Sequence, residues 1–204
     1  NGYRLYSSCD MEILRRLKAS TESGLRIGAA IESLLHPHFS AALELDDLRR
    51  RLTESILRLD ERQAAGVLHE ALVLHPVETV LASIVEPLLV WIGDQWEAGR
   101  VSVAVEHLAS ALITRQLVAL YLAAPDPWRP GRALAACVPG DRHEIGLLTI
   151  TVGLRRRGWE VLYLGADLPF EDLESVATDL KPAVFLLSAT TALDDGMLAA
   201  IDRL

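Results

Sequence analysis

Gly140-Asp141-Arg142-His143-Glu144-Ile145-Gly146 joins two segments of different periodicity. Before it, residues 133–138 form a short apolar run, as in a buried strand. After it, residues 147–154 place apolar side chains at helical spacing and end at Arg155-Arg156-Arg157-Gly158. The heptapeptide therefore reads as a strand-to-helix turn at the carboxyl end of a parallel sheet, where open α/β domains place their ligands. It offers a histidine instead of a phosphate-cradling run of glycines. No G-x-G-x-x-G follows the first strand, which argues against a dinucleotide fold. A metal-ligating imidazole is usually oriented through its second nitrogen by a carboxylate, and Asp141 stands two residues from His143. A polar loop with a surface histidine would carry the same residues.

Downstream, residues 159–164 read as a second strand, 165–169 as its exit loop, 170–180 as a helix and 183–187 as a third buried strand. Strands alternating with helices imply a doubly wound parallel sheet, a Rossmann-like domain over residues 131–204. Gly165, Asp167, Ser188 and Thr190 fall at strand ends; for Asp167 ordinary turn chemistry accounts for the residue. Upstream, Pro125-Asp126-Pro127-Trp128-Arg129-Pro130-Gly131 is stiff and turn-rich, a natural domain linker.

Residues 41–124 contain four helical runs. The first covers 43–57, with Asp46, Asp47, Arg49, Arg50 and Arg51 on a solvated face. Asp60 caps a second through Leu74, in a pattern that also fits a capping box. His75-Pro76 interrupts, and a third runs from Val77 to Trp96 with a kink expected at Pro87. Gly99 and Ser102 turn and cap the fourth, residues 103–122. Short connections between amphipathic helices imply a four-helix bundle. His36-Pro37-His38 breaks it from the preceding residues, and its histidines are read as linker.

Asp141-x-His143-x-x-Gly146 resembles the signature of the cobalamin-binding α/β domain of methionine synthase, corrinoid methyltransferases and mutases. The resemblance implies that His143 replaces the cofactor's benzimidazole as lower cobalt ligand and that Asp141 hydrogen-bonds its far nitrogen. That family continues with a Ser-x-Leu element lining the slot for the nucleotide tail. Here Ser188-Ala189-Thr190 follows Gly146 after 41 residues, with Thr190 where the family has leucine. A later Gly-Gly pair would fall beyond Leu204. By this resemblance Gly146, Gly165, Ser188 and Thr190 belong to the cofactor site with Asp141 and His143.

A second resemblance lies in Trp96, nine intervening residues, then Glu106-His107. It is similar to the cap bundle of light-sensing cobalamin regulators of the CarH/LitR kind. There the bundle covers the upper corrin face, the tryptophan packs beside the adenosyl group and the Glu-His pair makes polar contacts. A flat ring suits stacking, and two polar side chains suit ribose hydroxyls. Trp96 as plain core and Glu106 as a favourable helix-start carboxylate would need no ligand. Trp91, off the face of Trp96, is assigned to packing. One departure stands out. The family has a histidine after the tryptophan, which takes the upper cobalt position after illumination; here that residue is Glu97, a poor substitute. His69 and His107 are the alternatives, and the sequence does not choose between them.

The first 35 residues are similar to the latter half of a MerR-type winged helix-turn-helix domain, through Gly2-Tyr3-Arg4-Leu5-Tyr6, Asp10 and Gly24-Leu25-x-Ile27-x-x-Ala30. A generic helical hairpin would share these caps and periods. The recognition helix would precede Asn1, so Arg4 alone is left to touch a phosphate. The chain begins with Asn and stops in mid-pattern, as a fragment of a longer protein would.

Half of the 204 residues are apolar but only 5% aromatic, as Ala/Leu-rich helices require, and a chain of this length buries a real core. A net charge of −8 argues against a broad nucleic-acid surface on this portion. Cys9 and Cys137 show no pairing or metal spacing, which fits a reducing cytoplasm, and no apolar run reaches the length of a membrane span. Together the resemblances imply a cobalamin-dependent transcriptional regulator and not an enzyme. Its cofactor is expected to be adenosylcobalamin, with methylcobalamin as the second form, and cobalt held by His143. Its partners would be operator DNA, through the full-length protein, and further copies of itself as a dimer or tetramer, with no membrane. A corrinoid methyl carrier of a methyltransferase system is the alternative, and a regulator that has lost the cofactor a third.

Overall fold

A computed structural model describes residues 37–204 and, before them, residues 15, 17, 18, 21, 26–28 and 31. The winged-helix expectation rests on residues 2–6, 10, 24, 25, 27 and 30, of which all but Ile27 lie outside the described residues. The chain divides into two compact units: Asn1–Ser55 with Arg62–Leu88, and Ile56–Glu61 with Leu89–Leu204.

The first unit is helical. Helix α1 spans Pro37–Leu57 and α2 spans Glu61–Leu74, each contributing most of its length here. Proline suits the first position of a helix, because its missing N–H would have no intrahelical partner there. Helix α1 therefore starts at Pro37, earlier than the expected residue 43, and His38 is helical instead of linker. Leu48 and Leu52 of α1, and Ala64, Val67, Leu68 and Ala71 of α2, are buried at three- and four-residue spacing. Arg51 grips Glu70 with two parallel bonds, Nη1 to Oε1 at 3.0 Å and Nη2 to Oε2 at 2.7 Å, fixing α1 against α2.

The third run begins as α3, Val77–Val80, passes through a π-helical turn at Leu81–Val85 and continues as α4, Glu86–Glu97. The expected kink at Pro87 is thus met by a widened turn just before it, where Glu86 N–H bonds to Leu81 O. Pro87 returns no N–H to the carbonyl four residues back, Ser83, and Arg49 Nη1 donates to that oxygen at 3.4 Å.

The second unit holds the sheet. Helix α5 spans Val103–Leu122, then β1 Arg132–Cys137, α6 Glu144–Arg156, β2 Glu160–Gly165, α7 Phe170–Leu180, β3 Val184–Ser188 and α8 Asp195–Ile201. The three strands are parallel in the order β2-β1-β3, with Ala135 opposite Tyr163 on one side and Leu186 on the other. A central strand covered on both faces reads as one apolar run, and β1 is buried throughout beyond Arg132. Helix α6 begins three residues earlier than its apolar spacing suggested. The first-turn polar residues mask the start, and His143 takes the N-cap position.

Helix α5 packs against α6, and Tyr121 near its end reaches the sheet. Tyr121 Oη donates to Val161 O at 2.7 Å, and the Arg155 guanidinium lies 4.7 Å over the Tyr121 ring. The stretch at residues 125–131 runs inside this unit, because Trp128 and Arg129 both donate backbone N–H to Gly158 O. Gly158 has φ +86, and a Cβ there would sit 2.2 Å from Trp128 Cε2, so only glycine fits the clamp. Ser102 holds the N-cap of α5 as expected, but its side chain makes no capping bond. By length and composition α5 is apolar enough to cross a membrane, unlike any run recognised in the sequence. It nevertheless buries Val105, Ala109, Leu112, Ile113 and Leu117, carries Glu106 and His107, and pairs Arg115 with Glu61.

Candidate cofactor site

In the order β2-β1-β3 the chain leaves β1 toward one neighbour and returns on the other side, so the carboxyl ends of β1 and β3 flank the switch point where such sheets bind ligands. Asp141 follows β1 and Thr190 follows β3. The two are bonded across that point. Asp141 Oδ2 accepts Thr190 N–H at 2.5 Å, and Oδ1 accepts the Thr190 hydroxyl at 3.1 Å. Oδ1 also accepts His143 N–H at 2.9 Å and faces His143 Nδ1 at 2.9 Å.

Asp141 is 1% exposed. Burial by itself would raise its carboxyl, but the backbone and side-chain bonds from His143 and Thr190 outweigh burial and hold it below the usual range. It is therefore an anion at neutral pH, and the imidazole nitrogen facing it carries the ring proton. Thr190 Oγ1 lies 2.9 Å from Nδ1, so it accepts a share of that N–H while giving its own proton to Asp141. The imidazole is left with its Nε2 lone pair free on a side chain that is 75% exposed.

The loop is braced from β2. Asp167, at φ +54, accepts Gly140 N–H on Oδ1 at 2.7 Å and donates its own N–H to Asp141 O at 2.9 Å. Its turn chemistry thus ties the β2 exit loop to the histidine loop, with Arg142 Nε 3.8 Å from Oδ2. Glu144 accepts the Tyr163 hydroxyl at 2.6 Å, and burial together with that carboxylate pushes the phenol upward. Gly165 ends β2 at φ +85, and Ser188 ends β3 opposite Cys137. Around Gly146 the space a Cβ would enter is open.

The other expected residues lie on α4 and α5. Trp96 is half exposed and lines an open groove of about 720 Å³ with Leu89, Val90, Gly93, Asp94 and Glu97. Trp91 keeps 40% of its surface exposed, so packing accounts for only part of it. Glu106 Oε1 accepts the Ser110 hydroxyl at 2.6 Å, and its Oε2 lies 2.6 Å from His107 Nδ1. The structure thus gathers Asp141, His143 and Thr190 into one cluster and Glu106 with His107 into another. Ser110 and Asp167 were not assigned to the site from sequence. Ser110 had a signal in its four-residue spacing from Glu106. Asp167 had none beyond its place at a strand end.

The chain matches the family described as "B12 binding domain" twice, over residues 48–121 and 131–204. It is 38% identical to the HTH-type transcriptional repressor CarA of Myxococcus xanthus over 94% of this chain and 65% of that protein. To CarH of the same organism it is 33% identical, over 94% of this chain and 68% of that protein. This chain belongs to the CarA/CarH family. It spans about two thirds of those relatives' length. Its fold is also that of the Methanosarcina barkeri monomethylamine corrinoid protein, at a TM-score of 0.63 and 20% identity, over 78% of this chain and 76% of that one.

The residues present in this CarA/CarH relative fit a corrinoid. Among the described residues there is no group of three or more His, Cys, Asp or Glu side chains able to hold a bare metal ion. A lone, carboxylate-oriented imidazole suits instead a metal whose equatorial positions are already filled by a macrocycle. His143 Nε2 would hold the cobalt, and Asp141 and Thr190 would fix the tautomer that makes Nε2 the donor.

Proposed function

We infer that this chain is the cobalamin-sensing part of a transcriptional regulator. Residues 41–124 act as the cap bundle, residues 131–204 as the cofactor domain, and residues 1–35 as the end of a DNA-binding domain. The observation that supports this reading most is the buried Asp141 carboxylate spanning the switch point to pin both His143 and Thr190. When bound, the cofactor supplies a photolabile cobalt–carbon bond and a large apolar ring.

The protein's own residues do the rest. Asp141 holds the proton on Nδ1, so His143 presents Nε2 outward as its donor nitrogen. Trp96 offers a flat apolar face beside the groove on α4, and Glu106 with His107 offers polar contacts for an upper group such as an adenosyl ribose. Adenosylcobalamin is the form this pairing favours, with methylcobalamin second. These residues would couple the state of the bound cofactor, light-sensitive in the adenosyl case, to self-association as a dimer or tetramer and through it to DNA binding in the cytoplasm. The chain acts by binding, without catalysis.

The test uses the full-length protein and a DNA fragment from upstream of its own gene. Gel-shift affinity is compared without cofactor, with adenosylcobalamin in the dark, and after illumination. A change of about tenfold or more between these states, some 1.4 kcal/mol of coupling, is the expected result. Equal affinity in all three states would refute the regulatory reading while leaving cofactor binding intact.

A further inference from the structure

The edge of the sheet where β1 and β2 begin lies at the opposite end of the strands from Asp141 and His143. Two stretches far apart in sequence meet there, residues 125–132 and 153–160. Between them they hold five arginines and two carboxylates, in a chain whose net charge is −8. Backbone and side-chain bonds hold the stretches together. Trp128 and Arg129 both donate backbone N–H to Gly158 O, at 3.1 and 2.9 Å, and Arg129 Nε donates to Arg157 O at 2.9 Å. Arg157 Nη1 donates to Gly153 O at 3.1 Å.

The arginines of this cluster have different surroundings. Arg132 pairs with Glu160, and the Arg155 guanidinium lies over the Tyr121 ring. Arg129 and Arg157 are exposed, and neither has a carboxylate partner among the described residues. Cations are favourable at the carboxyl end of a helix, and each of these two gives one N–H to a carbonyl there. An arginine carries five N–H donors in a planar fork, so each keeps donors for an acceptor from outside. Beside them Trp128 keeps 62% of its surface exposed, although its ring covers Gly158 closely. Tryptophan and arginine together are enriched in contact surfaces, and here bonds to the α6–β2 turn fix both in place.

Two forked cations beside a flat apolar ring match a backbone that alternates phosphate anions with sugars. DNA is the anionic partner that the regulatory reading already brings to this protein. We propose that this patch is a second contact for DNA, made to the sugar–phosphate backbone and additional to the DNA-binding domain. The inference rests on that regulatory reading. Phosphate contacts carry no sequence information, so the patch adds affinity evenly across sequences. Its place at the far edge of the sheet leaves the cofactor end of the strands uncovered while DNA is held.

The test uses the full-length protein in the cofactor state that binds DNA most tightly. Affinity for a fragment from upstream of its own gene, and for an unrelated fragment, is measured over a series of salt concentrations. The variants are Arg129→Gln with Arg157→Gln, the same pair changed to Lys, and Arg50→Gln with Arg203→Gln. Arg50 and Arg203 are exposed arginines paired with carboxylates, so the last variant changes net charge equally away from the patch. The glutamine pair is expected to weaken binding to both fragments about tenfold. It should also flatten the slope of log affinity against log salt by about 1–2, since each lost phosphate contact removes about 0.9. The lysine pair should keep most of the slope, and the control should match wild type. Melting temperature, retained cobalamin and sedimentation of the free protein should be the same throughout. An unchanged slope in the folded glutamine pair would overturn the proposal, and so would an equal loss in the control. A glutamine pair that assembles differently would make the patch a contact between copies, which overturns it as well. A wild type that binds neither fragment in any cofactor state would remove the regulatory reading, and this proposal with it.

Discussion

Asp141→Ala in the cofactor-free protein removes one buried carboxylate and leaves four donors without their acceptor. The His143 ring and the Thr190 hydroxyl are exposed enough for water to replace the lost bonds, so they contribute little. The two backbone N–H groups matter more, because bonds to an ionised acceptor contribute about 1.5–3 kcal/mol each. Relief of the carboxylate's burial offsets part of that loss, leaving a net of about 2–3 kcal/mol. For a chain of this size each kcal/mol corresponds to about 2–4 °C, so the melting temperature should fall by about 4–12 °C. Asp141→Asn should fall about half as far, since one amide oxygen can serve only one of the two N–H directions while its NH₂ opposes the other. Thermal unfolding followed by circular dichroism measures both. An Asp141→Ala melting temperature equal to wild type would show that the carboxylate does not hold β1 and β3 together, and the site's preorganisation would lose its physical basis.

Thr190→Val keeps the backbone N–H to Asp141 and loses only an exposed hydroxyl. Urea unfolding should therefore place it within about 1 kcal/mol of wild type, with the His143 proton still on Nδ1 in ¹⁵N NMR spectra. Gly158→Ala must place a methyl group into the Trp128 indole at a positive φ, so it should lower stability by about 1–2 kcal/mol or more and shift the tryptophan fluorescence. Glu70 is held below the usual carboxyl range chiefly by its bond to Arg51, so the folded state binds its proton later than the unfolded chain does. The stabilisation is accordingly present above the unfolded value of about 4.3 and lost as pH falls through the lower folded value. Because the pair is about two-fifths exposed, the difference between wild type and Glu70→Gln in urea should stay below about 1 kcal/mol at neutral pH and vanish in acid.

Much of the architecture was legible because periodicity reports burial. The apolar run before Gly140 became the central strand β1, and the spacing of 61–74 and 103–122 gave their helices. Strand ends were displaced by one residue, as they are when burial fades gradually toward a loop. The π turn at Leu81–Val85 leaves no mark in side-chain spacing, and only Pro87 hinted at a disturbance. In the site, Asp141 and His143 were legible because two residues of separation set their contact within one loop. Thr190 was placed by spacing, but its bonds to Asp141 join loops 49 residues apart and depend on strand order, which no local pattern encodes. The clamp of Trp128 on Gly158 was hidden for the same reason, and a stretch that reads as a linker is anchored to the α6–β2 turn.

The most direct test of the account is the absorption spectrum of the desalted protein after incubation with adenosylcobalamin in the dark, wild type beside His143→Ala. The wild type should retain cobalamin with the spectrum of an imidazole-ligated cobalt, and the variant should lose that signature along with most of the bound cofactor. A wild type that emerges free of cobalamin, or a variant whose spectrum and retention match it, would contradict the assignment of His143 as the residue around which this chain is built.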